Sequence, residues 1–230
     1  MLDAIVFDFD GVIVDSEPLH FAAFLETVRP MGVSFDYAQY LEHYVGYDDR
    51  DVIRIILGEV LGRPEEAADP QRIAELCHSK QLAFEAIVAQ GARPIPGALE
   101  LIAAAKGKLP LAIASGATRR DIELILAQLG IQEAFDPIVT ADDVEKSKPH
   151  PQTYSAAIDG LAQRHPDRSI DPSRSLAIED TPTGLASARA AGLKTLGVAT
   201  TGPQSSLHLA HRAVESLTEV DLDTLEKWFG

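Results

Sequence analysis

The strongest constraint on this chain is a repeated change of apolar pattern. Short continuous runs lie at Ala4–Phe9, Leu109–Ser115, Asp136–Ala141, Ser175–Asp180 and Lys194–Thr200. Runs this short and rich in Val, Ile and Leu suit strands buried on both faces. Between them, Gly97–Gly107, Thr118–Leu129, Pro151–Arg164 and Pro182–Ala191 read as helices. Strands alternating with helices predict an α/β fold, a Rossmann-like parallel sheet with helices on both faces. The punctuation agrees: Gly130 and Gly192 stand just past helix ends, and Pro151 and Pro182 stand at helix starts.

The alternation stops after the first run. Pro18–Val28, Tyr37–Tyr44, Asp49–Leu61 and Gln71–Val88 all read as helix, and the segment from Gly91 to Gly97 reads as a hinge back to the α/β pattern. The expected organisation is therefore an α/β core made of residues 1–16 and 93–230, interrupted by an all-helical domain at residues 17–92. Asp15 reads as a hinge or capping residue before the first of these helices.

Composition excludes several classes of function. The net charge of −15 argues against nucleic acid and against an anionic membrane surface, both of which attract basic patches. Neither part is basic: residues 17–92 carry a net −7 and the remainder −8. No apolar stretch approaches the roughly 20 residues of a membrane span. The acidic start Met1-Leu2-Asp3 and the single cysteine, Cys77, lead us to expect a soluble cytoplasmic protein. Cys77 itself reads as a small core residue.

Chemistry gathers where the strands end. Asp8 and Asp10 follow the first run, Ser115 ends the second, and Glu179 and Asp180 end the fourth. In an open parallel sheet, ligands bind beyond the carboxyl ends of the strands. Several carboxylates at one edge repel one another unless a cation intervenes. Mg²⁺ answers that need, with one or two carboxylates, waters and phosphate oxygens as its usual partners. A phosphate-bearing substrate also needs donors, and Lys148, Ser115 and the amides of Gly116 and Ala117 can supply them. A carboxylate at Asp8 could attack phosphorus, while one at Asp10 could exchange protons with the leaving group and with water. Gly11 would let the backbone turn tightly behind them.

The run Asp8-Phe9-Asp10-Gly11-Val12, followed in order by Ser115, Lys148-Pro149 and Glu179-Asp180, resembles the haloacid-dehalogenase-like hydrolases. Asp15-Ser16-Glu17-Pro18-Leu19-His20 and the helical insertion resemble the branch holding small-metabolite phosphatases and β-phosphoglucomutase. The resemblance implies that Asp8 is the nucleophile and Asp10 the general acid/base. Mg²⁺ would be held by Asp8, the Asp10 carbonyl, Asp180 and Glu179. Ser115, Gly116 and Lys148 would bind the phosphoryl group, and the Lys148–Pro149 bond would be cis. The helical insertion becomes a cap that selects the substrate, with His20, Arg50 and Lys80 as the positions to test. Against that role, His20 could equally be a packed or solvent-facing histidine, and Arg50 and Lys80 could be solvated surface charges.

The expected activity is Mg²⁺-dependent hydrolysis of a small phosphorylated metabolite, of the sugar phosphate or phosphoglycolate type, through an aspartyl phosphate. A β-phosphoglucomutase-like phosphomutase is the alternative. In the mutase pattern an arginine stands three residues after a cap glycine, whereas here Gly46 is followed by Tyr47-Asp48-Asp49 before Arg50. The mutase pattern also continues past the motif serine with serine, lysine and asparagine, but this chain reads Ser115-Gly116-Ala117-Thr118-Arg119. A non-catalytic regulatory binding protein is a third reading, opposed by the intact Asp8, Asp10, Lys148 and Asp180. Oligomeric state is not legible. G-x-S-x-G, Walker and G-x-G-x-x-G motifs are absent, which removes the serine-hydrolase, P-loop and dinucleotide-binding readings.

Overall fold

The computed structural model describes residues 1–45 and 47–230, so the expectation built on Gly46 lies outside the described residues. The chain divides into two compact units, Met1–Asp15 with Arg93–Gly230, and Ser16–Ala92.

The first strand of the α/β unit, β1, runs over Ile5–Phe7. The chain then forms the helical unit: α1 (Glu17–Val28), α2 (Tyr37–His43), α3 (Asp49–Ile55), α4 (Pro64–Ala68) and α5 (Pro70–Val88). The expected single helix over Asp49–Leu61 is interrupted, because α3 gives way to a wider π-type turn over Ile56–Val60. Aspartates start three of these helices. Asp36, Asp48 and Asp69 accept hydrogen bonds from the backbone amides of Gln39, Asp51 and Gln71, satisfying donors that a helix start leaves open. Of the two roles expected for Asp15, capping falls to Ser16, which stands at the N-cap of the first helix. Asp15 is the last residue before the chain enters the helical unit. The Asp15 amide donates to the Arg93 carbonyl, joining the two segments of the α/β unit where the chain leaves and re-enters it. The helical unit has its own core of Phe24, Val28, Phe35, Tyr40, Ile53, Leu57 and Ile73 among others, with Cys77 packed at its margin.

The α/β unit resumes with α6 (Ala98–Ala105), β2 (Leu111–Ala114), α7 (Arg119–Leu129), β3 (Ile138–Val139), α8 (Gln152–Arg164), β4 (Leu176–Glu179), α9 (Pro182–Ala190), β5 (Lys194–Val198), β6 (Arg212–Val214) and α10 (Leu222–Phe229). The sheet is parallel throughout, with strand order β3-β2-β1-β4-β5-β6. This is the α/β Rossmann-like fold expected from the sequence. Right-handed crossovers place α8 and α9 on one face, because both precede steps towards β6. There Tyr154, Ala157, Ile158 and Leu161 of α8 pack with Ala188 of α9 over Val6, Ala112, Ala114 and Ala177. Alanines on that face let the helices approach closely. The opposite-pointing Ile5, Phe7, Ile113 and Ile178 are fully buried too, so the central strands are covered on both faces.

Strand order reverses at β1, which pairs with β2 on one side and β4 on the other. A crevice at such a switch point is the usual ligand site of an open α/β sheet.

Candidate active site

Asp8 is the first residue beyond β1. Its amide donates to the Ile178 carbonyl at 2.9 Å, extending the ladder by one step, and its Oδ1 accepts from the Phe9 amide at 2.7 Å. The chain then turns sharply over residues 9–14, with the Ile13 amide donating to the Phe9 carbonyl and the Gly11 amide to the Val14 carbonyl. Glu179 and Asp180 leave β4 beside Asp8. One carboxylate oxygen from each of Asp8, Glu179 and Asp180 lies within 4.8 Å of the others, and all three residues are buried. Asp10 sits in the turn, outside that carboxylate cluster. By register, Ser115 lies level with Phe9, and its buried hydroxyl accepts from the Ala117 amide at 3.0 Å. Gly116 is exposed at the same edge.

Lys148 reaches this cluster from the loop after β3, next to a cis Lys148–Pro149 peptide. Its Nζ stands 2.8 Å from Asp8 Oδ1 and 2.7 Å from Glu179 Oε1, and 5.1 Å from the centre of the Tyr154 ring. Burial opposes its charge, but Asp8 and Glu179 outweigh that and hold its pKa above the ordinary lysine value. Lys148 is therefore a fixed cation at neutral pH.

The carboxylates differ in what surrounds them. Glu179 is saturated: Oε1 accepts from Lys148 and from the Tyr154 hydroxyl at 3.0 Å. Its Oε2 accepts from the amides of Asp180 and Thr181 and from the Thr181 hydroxyl. Burial alone would raise its pKa, yet Lys148 and these donors bring it below the usual carboxylate range. Gly184 makes room for this arrangement, since a Cβ there would overlap the Glu179 carboxylate. Asp8 is pushed well above its usual value by burial and then by the charge of Glu179. The same two causes push Asp180 up to about 7. Asp180 Oδ2 accepts from the Thr201 hydroxyl, whereas Oδ1 is buried with no hydrogen-bond partner among the described residues.

That orphaned oxygen tests whether the residues fit a divalent cation. Buried polar atoms are nearly always paired, and clustered carboxylates with raised pKa values need a positive neighbour. An oxygen-lined position with an unpartnered Asp180 Oδ1 suits a hard cation. Glu179, whose oxygens are both engaged, also fastens Lys148 at the border of that cluster.

Of the three sequence-predicted residues of the helical unit, His20 and Lys80 meet each other and Arg50 does not join them. Lys80 Nζ lies 2.9 Å from both Asp49 carboxylate oxygens and 2.9 Å from His20 Nδ1, above the Phe24 and Phe84 rings. At 1% exposure, Lys80 is no solvated surface charge, which corrects that reading. An ammonium has no lone pair, so His20 Nδ1 is the acceptor. Burial first, and Lys80 second, lower the His20 pKa to about 3. Arg50 is exposed on α3.

Three contributors went unseen in the sequence. Thr181 was legible, since a threonine just before Pro182 and three residues before Gly184 is a helix-capping pattern, and its side chain does accept the Gly184 amide. Tyr154 and Thr201 carried no local signal.

A Rossmann-like sheet with a half-buried lysine and three buried carboxylates at its switch point has the build of an α/β enzyme. The model of the haloacid dehalogenase-like hydrolases matches residues 5–198, and the chain belongs to that family. Validoxylamine A 7′-phosphate phosphatase of Streptomyces hygroscopicus subsp. limoneus is 29% identical over 229 residues, covering 96% of each chain. Fructose-1-phosphate phosphatase YqaB of Escherichia coli is 28% identical, covering 84% of this chain and 95% of its own. Among solved structures, CbbY from Rhodobacter sphaeroides in complex with phosphate superposes with a TM-score of 0.81 and 31% identity, covering 98% of this chain and 100% of that one.

Proposed function

We propose that the chain is a Mg²⁺-dependent phosphatase of small phosphorylated metabolites, sugar phosphates foremost, acting through an aspartyl phosphate on Asp8. The chain is a phosphoric monoester hydrolase by family and by its phosphatase relatives. The finer reading rests chiefly on one observation: Lys148 bridges Asp8 and Glu179 beside the unpartnered oxygen of Asp180. Asp8, the Asp10 carbonyl and Asp180 would hold the cation, with Glu179 contributing charge at its border. A bound divalent cation would neutralise these carboxylates and draw charge from the phosphoryl oxygens.

The protein groups then divide the work. Asp8 Oδ1 is held in place by Lys148 and the Phe9 amide, so the other oxygen, Oδ2, is the one to attack phosphorus. The P–O bond to the leaving group breaks as Asp10 supplies a proton, and the ionised Asp10 later takes one from the water that cleaves the aspartyl phosphate. Lys148, Ser115 and the amide of Gly116 stabilise the charge that develops on the phosphoryl oxygens. In the helical unit, which this reading makes the cap, Arg50, exposed on α3, would meet a second anionic group. Lys80 is committed to Asp49 and His20, and these two positions would act by shaping the unit.

The test is a phosphate-release screen over phosphorylated metabolites, with Mg²⁺ and with EDTA, beside an assay for interconversion of β-glucose 1-phosphate and glucose 6-phosphate. Mg²⁺-dependent phosphate release without isomerisation is the expected outcome. Isomerisation that needs a bisphosphate primer would replace the phosphatase by a phosphomutase, and silence in both assays would favour a binding protein.

A further inference from the structure

We infer that Thr201, on the exposed loop after β5, is a positioning residue that decides which oxygen of Asp180 faces the cation. The inference rests on the metal-dependent reading above and assigns a part of the site to a strand that carries none of the sequence motifs. β5 pairs with β4 and not with β1, yet residues 200 and 201 reach the loops beyond both. The Thr200 hydroxyl donates to the Gly11 carbonyl, in the turn that carries Asp10. The Thr201 hydroxyl donates to Asp180 Oδ2. One short loop thus ties together the two elements that would hold the metal.

The consequence for Asp180 is geometric. A carboxylate with neither oxygen engaged can rotate about its terminal bond and present either one. With Oδ2 held by Thr201, the plane is fixed and Oδ1 is left as the unpartnered buried atom. Gly11 completes the fit: at φ +73 it adopts a conformation natural to glycine, and a Cβ there would overlap Asp180 Oδ2 and stand 2.7 Å from Thr201 Oγ1. The contact between Thr201 and Asp180 therefore occupies space that any other residue at position 11 would fill. Hydrogen bonds to a metal-ligating carboxylate fix its orientation, and losing such a partner typically costs 10- to 100-fold in metal affinity.

Isothermal titration of Mg²⁺ into the full chain, without substrate, reads this directly. Thr201→Val, which keeps the shape and removes the donor, should weaken Mg²⁺ binding by about tenfold or more. Thr201→Ser should stay within about twofold of the parent, since the hydroxyl remains. In assays, the Mg²⁺ concentration for half-activation should rise in Thr201→Val while kcat at saturating Mg²⁺ stays near that of the parent. If valine disturbs the loop, seen as a lowered melting midpoint in EDTA, Thr201→Ala removes the donor without bulk and should weaken binding equally. A parent that binds Mg²⁺ alongside valine and alanine variants that bind it equally well would overturn the role of Thr201 alone. A parent that binds no Mg²⁺ would overturn the metal-dependent reading and this inference with it.

Discussion

Replacing Asp8 by asparagine should abolish turnover, because an amide is a poor nucleophile and brings less charge to a cation. Steady-state phosphate release from Asp8→Asn within about 100-fold of the parent would remove the covalent step. Asp10→Asn should differ in kind. Its backbone carbonyl survives, so Mg²⁺ affinity by titration should hold while leaving-group protonation fails. Loss of Mg²⁺ binding in that variant would mean that the side chain, not the carbonyl, is the ligand. Lys148→Ala should slow turnover by roughly 10²–10³-fold, the usual effect of losing one preorganised donor to a developing anion. Its effect has a second source, because removing the ammonium leaves Glu179 and Asp8 buried without the cation that now lies 2.7 and 2.8 Å from them. Reduced thermal stability should therefore accompany the lost rate, and a variant with parental rate and stability would place Lys148 outside the site.

At the scale of elements, the sequence exposed what depends on local pattern and hid what depends on tertiary meeting. Asp8, Ser115, Glu179 and Asp180 were visible because each terminates an apolar run, and parallel strands deliver their ends to one edge. Lys148 was visible through its place after the third apolar run, as a donor that a phosphate would need, and through the motif order. The strands proved shorter than their apolar runs, as at β1, which ends at Phe7 with one further ladder bond from the Asp8 amide before the chain turns. β6 escaped notice because Arg212–Val214 is a three-residue edge strand whose first residue is exposed. α10 carried a readable signal in the Asp221 cap and the spacing of Leu222, Leu225 and Phe229. Nothing local could reveal the cluster in which Lys80 meets Asp49 and His20, partners 31 and 60 positions away. That cluster makes the helical unit sensitive to pH. An unfolded imidazole titrates near 6.5, and the folded His20 near 3. Between those values the unfolded chain binds a proton that the folded chain refuses. The stabilisation is thus complete above about pH 6.5 and declines as pH falls towards 3, by at most about 1.4 kcal/mol per unit. Urea midpoints measured from about pH 7 to about pH 5 should fall more steeply for the parent than for His20→Gln. Parallel slopes would show that the histidine does not govern acid sensitivity.

For the molecule as a whole, a net charge of −15 sets up a conflict between long range and short range. The proposed substrate carries a phosphate dianion, and each part of the chain is separately acidic, so an approaching substrate meets repulsion before it meets Lys148. Salt screens the distant charges first: the Debye length shortens from about 20 Å near 20 mM to about 7 Å near 200 mM. The buried contact of Lys148 with Asp8 is far shorter than either length and largely shielded from solvent ions. Added NaCl at constant free Mg²⁺ should therefore relieve repulsion more than it weakens binding in the site. We expect kcat/KM for a phosphate monoester to rise, roughly two- to fivefold, over that range, while kcat changes little. Most acidic or basic enzymes with oppositely charged substrates show the reverse, since screening removes their steering. The sign of the salt slope is the decisive reading. A fall in kcat/KM would mean that the cation and Lys148 project a positive field beyond the site, strong enough to overcome the surface. In that case, substituting Lys148 should flatten the slope, whereas neutralising remote acids such as Asp223 or Glu219 should leave it unchanged.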